Sequence, residues 1–337
     1  MKPAVRTPVG STIAIIATIA GLHVFGWGLP ILAIWMGKDT LLVLGLAATA
    51  YLLGVRHAFD ADHIAAIDNA TRKLTGPGAR FSSVGFWFSL GHSTVVIGTV
   101  ALLAAGVHVL VTVIEDDTSP IRQAAGLWGV SISVLFVLAF GMVNLHSLVR
   151  LVQRRRGESA GAEPAEAGGG PTGLLFRLFR PVANLVDRPG RMYPLGLLFG
   201  LGFDTAATIG LFITAGAASF QVSWALAVAL PLLFTAGMSF FDTLDGAFMA
   251  RLYGWAAQHS GRHYRYNLVV TSLSIAAAVV VAIVGFSEIL SQATVSNLTL
   301  PIDTTYFGFI VVGLFAVVAA VAAGTRMRGP QPQALQT

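Results

Sequence analysis

An all-α polytopic membrane protein, with eight transmembrane helices and both termini in the cytoplasm, is the fold class that this sequence predicts. Three observations predict it. The 337 residues are 55% hydrophobic and only 11% charged, with mean hydropathy +0.74, whereas a soluble domain carries about 25% charged residues. Eight stretches supply the roughly 20 mostly apolar residues that a bilayer core demands. The basic residues gather on alternate connections between those stretches, as they do when one side is cytoplasmic.

The spans fall at about 11–35, 40–68, 83–109, 123–149, 193–216, 222–250, 266–290 and 305–324. The first follows Lys2 and Arg6, and its apolar run reaches about Trp35. A signal-peptide core has only about 7–15 apolar residues, so this segment reads as an uncleaved span. With the N-terminus inside, 18 of the 21 basic residues lie on the inner segments. Lys38 and Arg122 fall outside, and Arg56 lies within a span. Residues 1–337 read as a single membrane domain. Its one long connection, 150–192 between the fourth and fifth spans, starts with Arg154-Arg155-Arg156 and continues as a Gly/Ala/Glu/Pro linker. Leu174–Leu185 mixes apolar residues with Arg177 and Arg180, a composition suited to the inner membrane surface.

Composition also excludes functions. There is no cysteine, which removes disulfides, iron–sulfur clusters and thiolate-bound zinc. The formal charge of +5 comes from residues flanking the spans, so it reflects topology and implies no nucleic-acid partner. The partners implied instead are a lipid bilayer and, because histidines and carboxylates lie inside the spans, a divalent metal ion.

The second span contains Arg56-His57-Ala58-Phe59-Asp60-Ala61-Asp62-His63. Each ionised side chain at mid-bilayer costs about 2.5–3.5 kcal/mol even on the lenient insertion scale. Imidazole and carboxylate are ligands of divalent transition metals. On a continuous helix His57, Asp60 and His63 share one stripe, with Asp62 almost opposite. Either Asp62 pairs elsewhere or the helix is broken here, as in transporters whose spans unwind around an ion. A polar helix end at the interface is the bland alternative.

Three other spans carry matching signals. His92, in Leu90-Gly91-His92-Ser93, lies about 15 Å in from the inner face; a lone intramembrane histidine also serves as a helix–helix hydrogen bond. Asp204 follows Gly200-Leu201-Gly202-Phe203, and Gly196 and Gly200 give a GxxxG packing face. Asp242 and Asp245, three apart, share a helix face. All lie between mid-membrane and the inner side. The candidate metal ligands are therefore His57, Asp60, Asp62, His63, His92, Asp204, Asp242 and Asp245. His23 in the first span is weighed equally between ligand and packing. Phe59-Asp60 and Phe241-Asp242 occupy similar places in the two halves, a two-residue similarity of the kind that parallel repeats produce.

Arg56 to Ile64, Phe88 to Ser93, Leu201 to Thr205, and Gly237-Met238 through Asp242-Thr243-Leu244-Asp245 resemble the four signatures of the nickel/cobalt transporter family. The resemblance covers about 50 to 250, in the right order. It implies eight spans, cytoplasmic termini and high-affinity uptake of Ni²⁺ or Co²⁺ through a bacterial cytoplasmic membrane. It also implies that His57, Asp62 and His63 are needed for transport. The metal is cargo, and no cofactor is implied. One position departs: where the family continues Thr-Glu after Ala206, this chain has Ala207-Thr208.

No Gly-x4-Gly-Lys-Ser/Thr loop is present, so the chain itself is not expected to hydrolyse nucleotide, and no ATPase subunit is evident. Import as a secondary transporter is the expectation. Efflux, or carriage of another divalent metal by the same fold, is the alternative; the long inner loop lacks the histidines of a metal-handling tail. An intramembrane metalloenzyme is the alternative from another class, but His57 and His63 lack the His-x3-His spacing and glutamate base of zinc proteases.

Overall fold

The computed structural model describes residues 9–75, 82–105, 116, 118–159, 181–182, 184–202, 208, 210–211, 213–215, 223–256, 262–293 and 306–327. Among them the chain is helical, with no strand, and forms nine α-helices of nine residues or more. They are α1 Val9–Trp35, α2 Thr40–Ala58, α3 Ala61–Leu74, α4 Val84–Ala104, α5 Pro120–Ser159, α6 Met192–Gly200, α7 Trp224–Ala256, α8 Arg262–Ala293 and α9 Phe307–Met327. Six of these, α1, α2, α4, α5, α7 and α8, are long and apolar enough to cross a membrane; α9 holds a shorter apolar stretch, Phe307–Val321.

Large apolar side chains point outward along the bundle, among them Phe25, Leu41, Leu52, Phe286 and Val321. Water would penalise such a surface, because soluble proteins rarely expose contiguous apolar patches beyond a few hundred Å². Hydrocarbon does not. The chain is a multi-pass membrane protein.

Three expected spans change shape. The second does not run unbroken to Asp68: α2 stops at Ala58 and α3 restarts at Ala61. The helix of the fourth continues past 149 to Ser159, carrying Arg154-Arg155-Arg156 with it, because no glycine or proline interrupts the chain there before Gly157. The fifth begins as α6, which ends at Gly200. Most of Leu174–Leu185 lies outside the described residues.

α3 explains how polar groups survive inside this bundle. Its residues His63 to Thr71 are all buried, although four of the nine, His63, Asp68, Asn69 and Thr71, are polar. It is covered by α7, α5, α8 and α9 rather than by lipid. Asn69 donates to the Ala65 carbonyl at 2.6 Å and accepts from Asn144 of α5, so this buried amide pair is satisfied within protein.

Close backbone approach fixes the frame around α3. A Cβ on Gly91 of α4 would lie 2.0 Å from the Tyr193 carbonyl oxygen, and one on Gly196 of α6 would lie 1.9 Å from that of Phe88. The two helices thus press glycines reciprocally into each other's backbones, the small-residue packing of membrane helices. Gly54 of α2 and Gly237 of α7 do the same, against Phe234 and Tyr51. α7 also packs on α4 and α1. The result is a framework of α2, α4, α6 and α7 with α3 held against it.

α7 runs straight through Phe241-Asp242, whereas the chain breaks at Phe59-Asp60. The two similar dipeptides therefore sit in different local structures.

Candidate metal centre

The centre is built on the interruption between α2 and α3. The Phe59 and Asp60 N–H groups donate back to the carbonyls of Arg56 and His57, each at 3.0 Å, tightening the last turn of α2. Phe59 has φ −95° and ψ 11°. Asp60 is extended at ψ 144° and stands at the N-cap of α3, and its carbonyl accepts from Ile64 at 3.1 Å. On one continuous helix His57 and His63 would be 120° apart in azimuth and about 9 Å apart in height. The break brings their ring centroids to 4.5 Å.

α4 supplies the third imidazole. His92 Nε2 lies 3.0 Å from His57 Nε2, and the His63 and His92 centroids are 5.0 Å apart. The three histidines are 1%, 1% and 4% exposed, and each offers a ring nitrogen within 4.8 Å of the other two. His57 Nδ1 donates to Asp60 Oδ2 at 2.8 Å. That contact places the proton on Nδ1 and leaves the Nε2 lone pair available, the usual arrangement of a metal-binding histidine and its carboxylate partner. Phe88 meets the His63 ring edge-on at 4.8 Å, and Phe234 lies 5.6 Å from His57, so the polar cluster has aromatic walls.

Asp242 of α7 completes the cluster. It is fully buried, with Oδ2 3.6 Å from His63 Nδ1. That separation exceeds a hydrogen bond, and His63 Nδ1, His92 Nδ1 and both Asp242 oxygens have no hydrogen-bond partner among the described residues. A buried polar atom left unpaired costs about 1–3 kcal/mol. Of these atoms His63 Nδ1 and Asp242 Oδ2 face each other, and such a gap between buried polar atoms is one that a ligand can fill.

The remaining candidates fall into distinct roles. Asp62 is partly buried in the first turn of α3, where a negative charge is favoured, and its Oδ1 accepts from the His63 N–H at 2.9 Å. Asp245 is 8% exposed with both oxygens unpartnered, but it is not part of the three-histidine group. Asp204 lies outside the described residues. His23 is engaged elsewhere: its Nδ1 donates to the Ile19 carbonyl at 2.8 Å and its Nε2 lies 3.3 Å from the Tyr51 hydroxyl.

Sequence reading missed a second polar layer. Tyr253 of α7 donates to Asp68 of α3 and lies 2.8 Å from Ser274 of α8. A single hydroxyl on an apolar helix gives no pattern, so only Asp68, near the edge of the histidine stripe, carried a signal.

A family profile described as "High-affinity nickel-transport protein" matches residues 43–324. The chain belongs to this family. Among its relatives, the nickel transporter NicT of Mycobacterium tuberculosis is 41% identical over 320 residues, covering 91% of this chain and 86% of NicT. The high-affinity nickel-transport protein NixA of Helicobacter pylori (strain ATCC 700392 / 26695) is 38% identical, covering 80% of this chain and 85% of NixA. The cobalt transport protein NhlF of Rhodococcus rhodochrous is 36% identical, covering 91% and 88%. No solved structure matches. Membership in the nickel-transport family makes the chain a membrane transporter of the nickel/cobalt class, and the histidine cluster lies within the matched region.

Proposed function

We propose that the chain imports Ni²⁺ or Co²⁺ as a secondary transporter, holding the ion between His57, His63, His92 and Asp242. One observation carries this reading: three buried imidazoles offer nitrogens within 4.8 Å of one another, beside a buried carboxylate with no hydrogen-bond partner among the described residues. Imidazole nitrogens bind first-row dications at about 2.0–2.1 Å. Two ligands at right angles around such an ion stand about 3.0 Å apart, and two tetrahedral ligands about 3.4 Å, at that bond length. The His57 and His92 nitrogens are separated by 3.0 Å. That spacing lies within the range of two nitrogens sharing one such ion.

Asp60 orients His57, and the Asp242 carboxylate offsets the charge of the ion. The carbonyl end of α2 adds negative partial charge, as broken helices do at cation sites in other carriers. We assign the remaining sequence candidates, Asp62, Asp204 and Asp245, to the cation path. The affinity order of N/O sites places Ni²⁺ above Co²⁺; the similarity to both NicT and NhlF accords with either cargo.

The proposed topology has eight spans in one domain, both termini and the 150–192 loop in the cytoplasm, and the chain in a bacterial cytoplasmic membrane. α2 and α3 together fill the place of the second span. An inside-negative potential of 100 mV is worth about 4.6 kcal/mol to a dication, enough for accumulation of roughly 2000-fold without nucleotide. Uptake of radioactive nickel by cells expressing the chain tests this reading directly. Accumulation that collapses with an uncoupler, together with greater sensitivity of the cells to external Ni²⁺ or Co²⁺, is the expected result. Lower metal content and raised resistance would establish efflux instead.

A further inference from the structure

The histidine centre leaves unused a polar layer that closes the bundle further along α3. Asp68 is 2% exposed and accepts from Tyr253. Tyr253 Oη lies 2.8 Å from Ser274 Oγ, and Ser274 is fully buried. Arg72, one turn beyond Asp68, donates to Thr271 of α8 and places its guanidinium carbon 5.3 Å from the Tyr253 ring centroid. One phenol thus ties α3, α7 and α8 together. Along α3, Asp68 stands about 7.5 Å of helix rise past His63; along α7, Tyr253 stands about 16 Å past Asp242. Both displacements lead away from the centre in the same direction, toward Leu74 and Ala256. Asp245 comes three residues after Asp242, on the same face of α7. Both Asp245 oxygens are buried without a hydrogen-bond partner among the described residues.

We propose that the Tyr253–Asp68 hydrogen bond is the inner closure of the cation path, opened by the cation itself. While the ion occupies the histidine centre, the phenol holds α3 against α7 and α8. When the dication steps from Asp242 to Asp245, it draws the Asp68 carboxylate more strongly than a neutral hydroxyl does in a medium of low dielectric. Asp68 leaves Tyr253, and the three helices are free to part. The Arg72 charge beyond the layer opposes passage until they do. This inference rests on the import reading and its orientation, with Leu74 and Ala256 toward the cytoplasm.

The chain has no cysteine, so one introduced thiol reports accessibility without background. Thr71 lies between Asp68 and Arg72 and is fully buried, and Thr71→Cys places the reporter there. In metal-free inside-out vesicles, adding Tyr253→Phe should raise the rate of labelling by an impermeant maleimide about fivefold or more. Labelling of right-side-out vesicles should stay at its original rate. Ser274→Ala should give a smaller rise from the same face, and it carries the test on the same criterion if the phenylalanine variant does not reach the membrane. Equal labelling with and without the phenol overturns the closure. An equal rise from both faces also overturns it, because that reports general loosening of the bundle. These rates need no metal movement, so a failure of the import reading would be seen separately, as absent nickel uptake by the parent chain.

Discussion

His57 Nε2 and His92 Nε2 stand 3.0 Å apart although they come from different helices, α2 and α4. With the His57 Nδ1 proton directed to Asp60, His57 presents a lone pair toward His92. One of the two nitrogens must then hold a proton or share a cation with the other. Nickel chemistry supplies the second possibility, and it sets the strongest test of the centre.

Replacing His57, His63 or His92 by alanine should each reduce nickel accumulation at submicromolar metal to background. Membrane levels of the protein should remain near those of the parent. The motive is the convergence of all three rings on one buried point. Near-normal uptake in the three variants would sink the assignment.

Asp60→Asn should act differently. The carboxylate contacts His57 Nδ1 at 2.8 Å and so orients a ligand. Loss of such a partner commonly lowers metal affinity about 10–100-fold. The expected result is a raised half-saturation concentration with a maximal rate close to that of the parent. An unchanged half-saturation would show that the Asp60 contact is incidental.

Two glycine substitutions should separate packing from propensity. Alanine is favoured over glycine in a helix by about 1 kcal/mol. Gly45→Ala meets nothing within 4 Å and should be neutral or stabilising, whereas Gly196→Ala puts its Cβ 1.9 Å from the Phe88 carbonyl oxygen. The second should lower the unfolding temperature of the detergent-solubilised protein and, by spreading α4 from α6, weaken uptake. Thermal-shift measurements on the pair decide it; equal stability would mean that α4 and α6 do not approach as closely as described.

Thr208 stands where the family resemblance leads one to expect glutamate, and it is 2% exposed. An added buried carboxylate attracts a dication strongly. Thr208→Glu, combined with Ala207→Thr, should lower the concentration for half-maximal nickel uptake and alter the competition between nickel and cobalt. Identical competition curves for parent and double variant would place this position away from the path.

Much of the centre was legible because ionisable groups in an apolar span are expensive, and His57, His63, His92 and Asp242 each stand out against their surroundings. Their convergence was harder to read. A continuous helix puts His57 and His63 on a common stripe but not in contact, and only the break at Phe59-Asp60 brings the rings together. No proline or glycine announces that break. Its setting comes from a distant segment, since a Cβ on Gly308 of α9 would lie 1.8 Å from the Phe59 carbonyl oxygen, and the Phe309 and Phe59 rings stack at 4.3 Å. Sequence reading joined α2 and α3 into one span for the same reason: length and hydropathy count residues along the chain, while α3 stays buried through neighbours far away in it. The Tyr253–Asp68 tie was invisible because its members are scattered over three helices.

If the ion is held as proposed, the interruption at Phe59-Asp60 makes its coordination sphere divisible. His57 and His92 belong to α2 and α4, which are joined to the framework through backbone contacts that leave no room for a Cβ. His63 belongs to α3, which meets α2 at a two-residue joint. A tilt of α3 about that joint would carry one imidazole away from the other two and reduce a multidentate site to a weaker one. Tight capture and prompt surrender of the ion, which oppose each other in a rigid site, then become two positions of a single short helix.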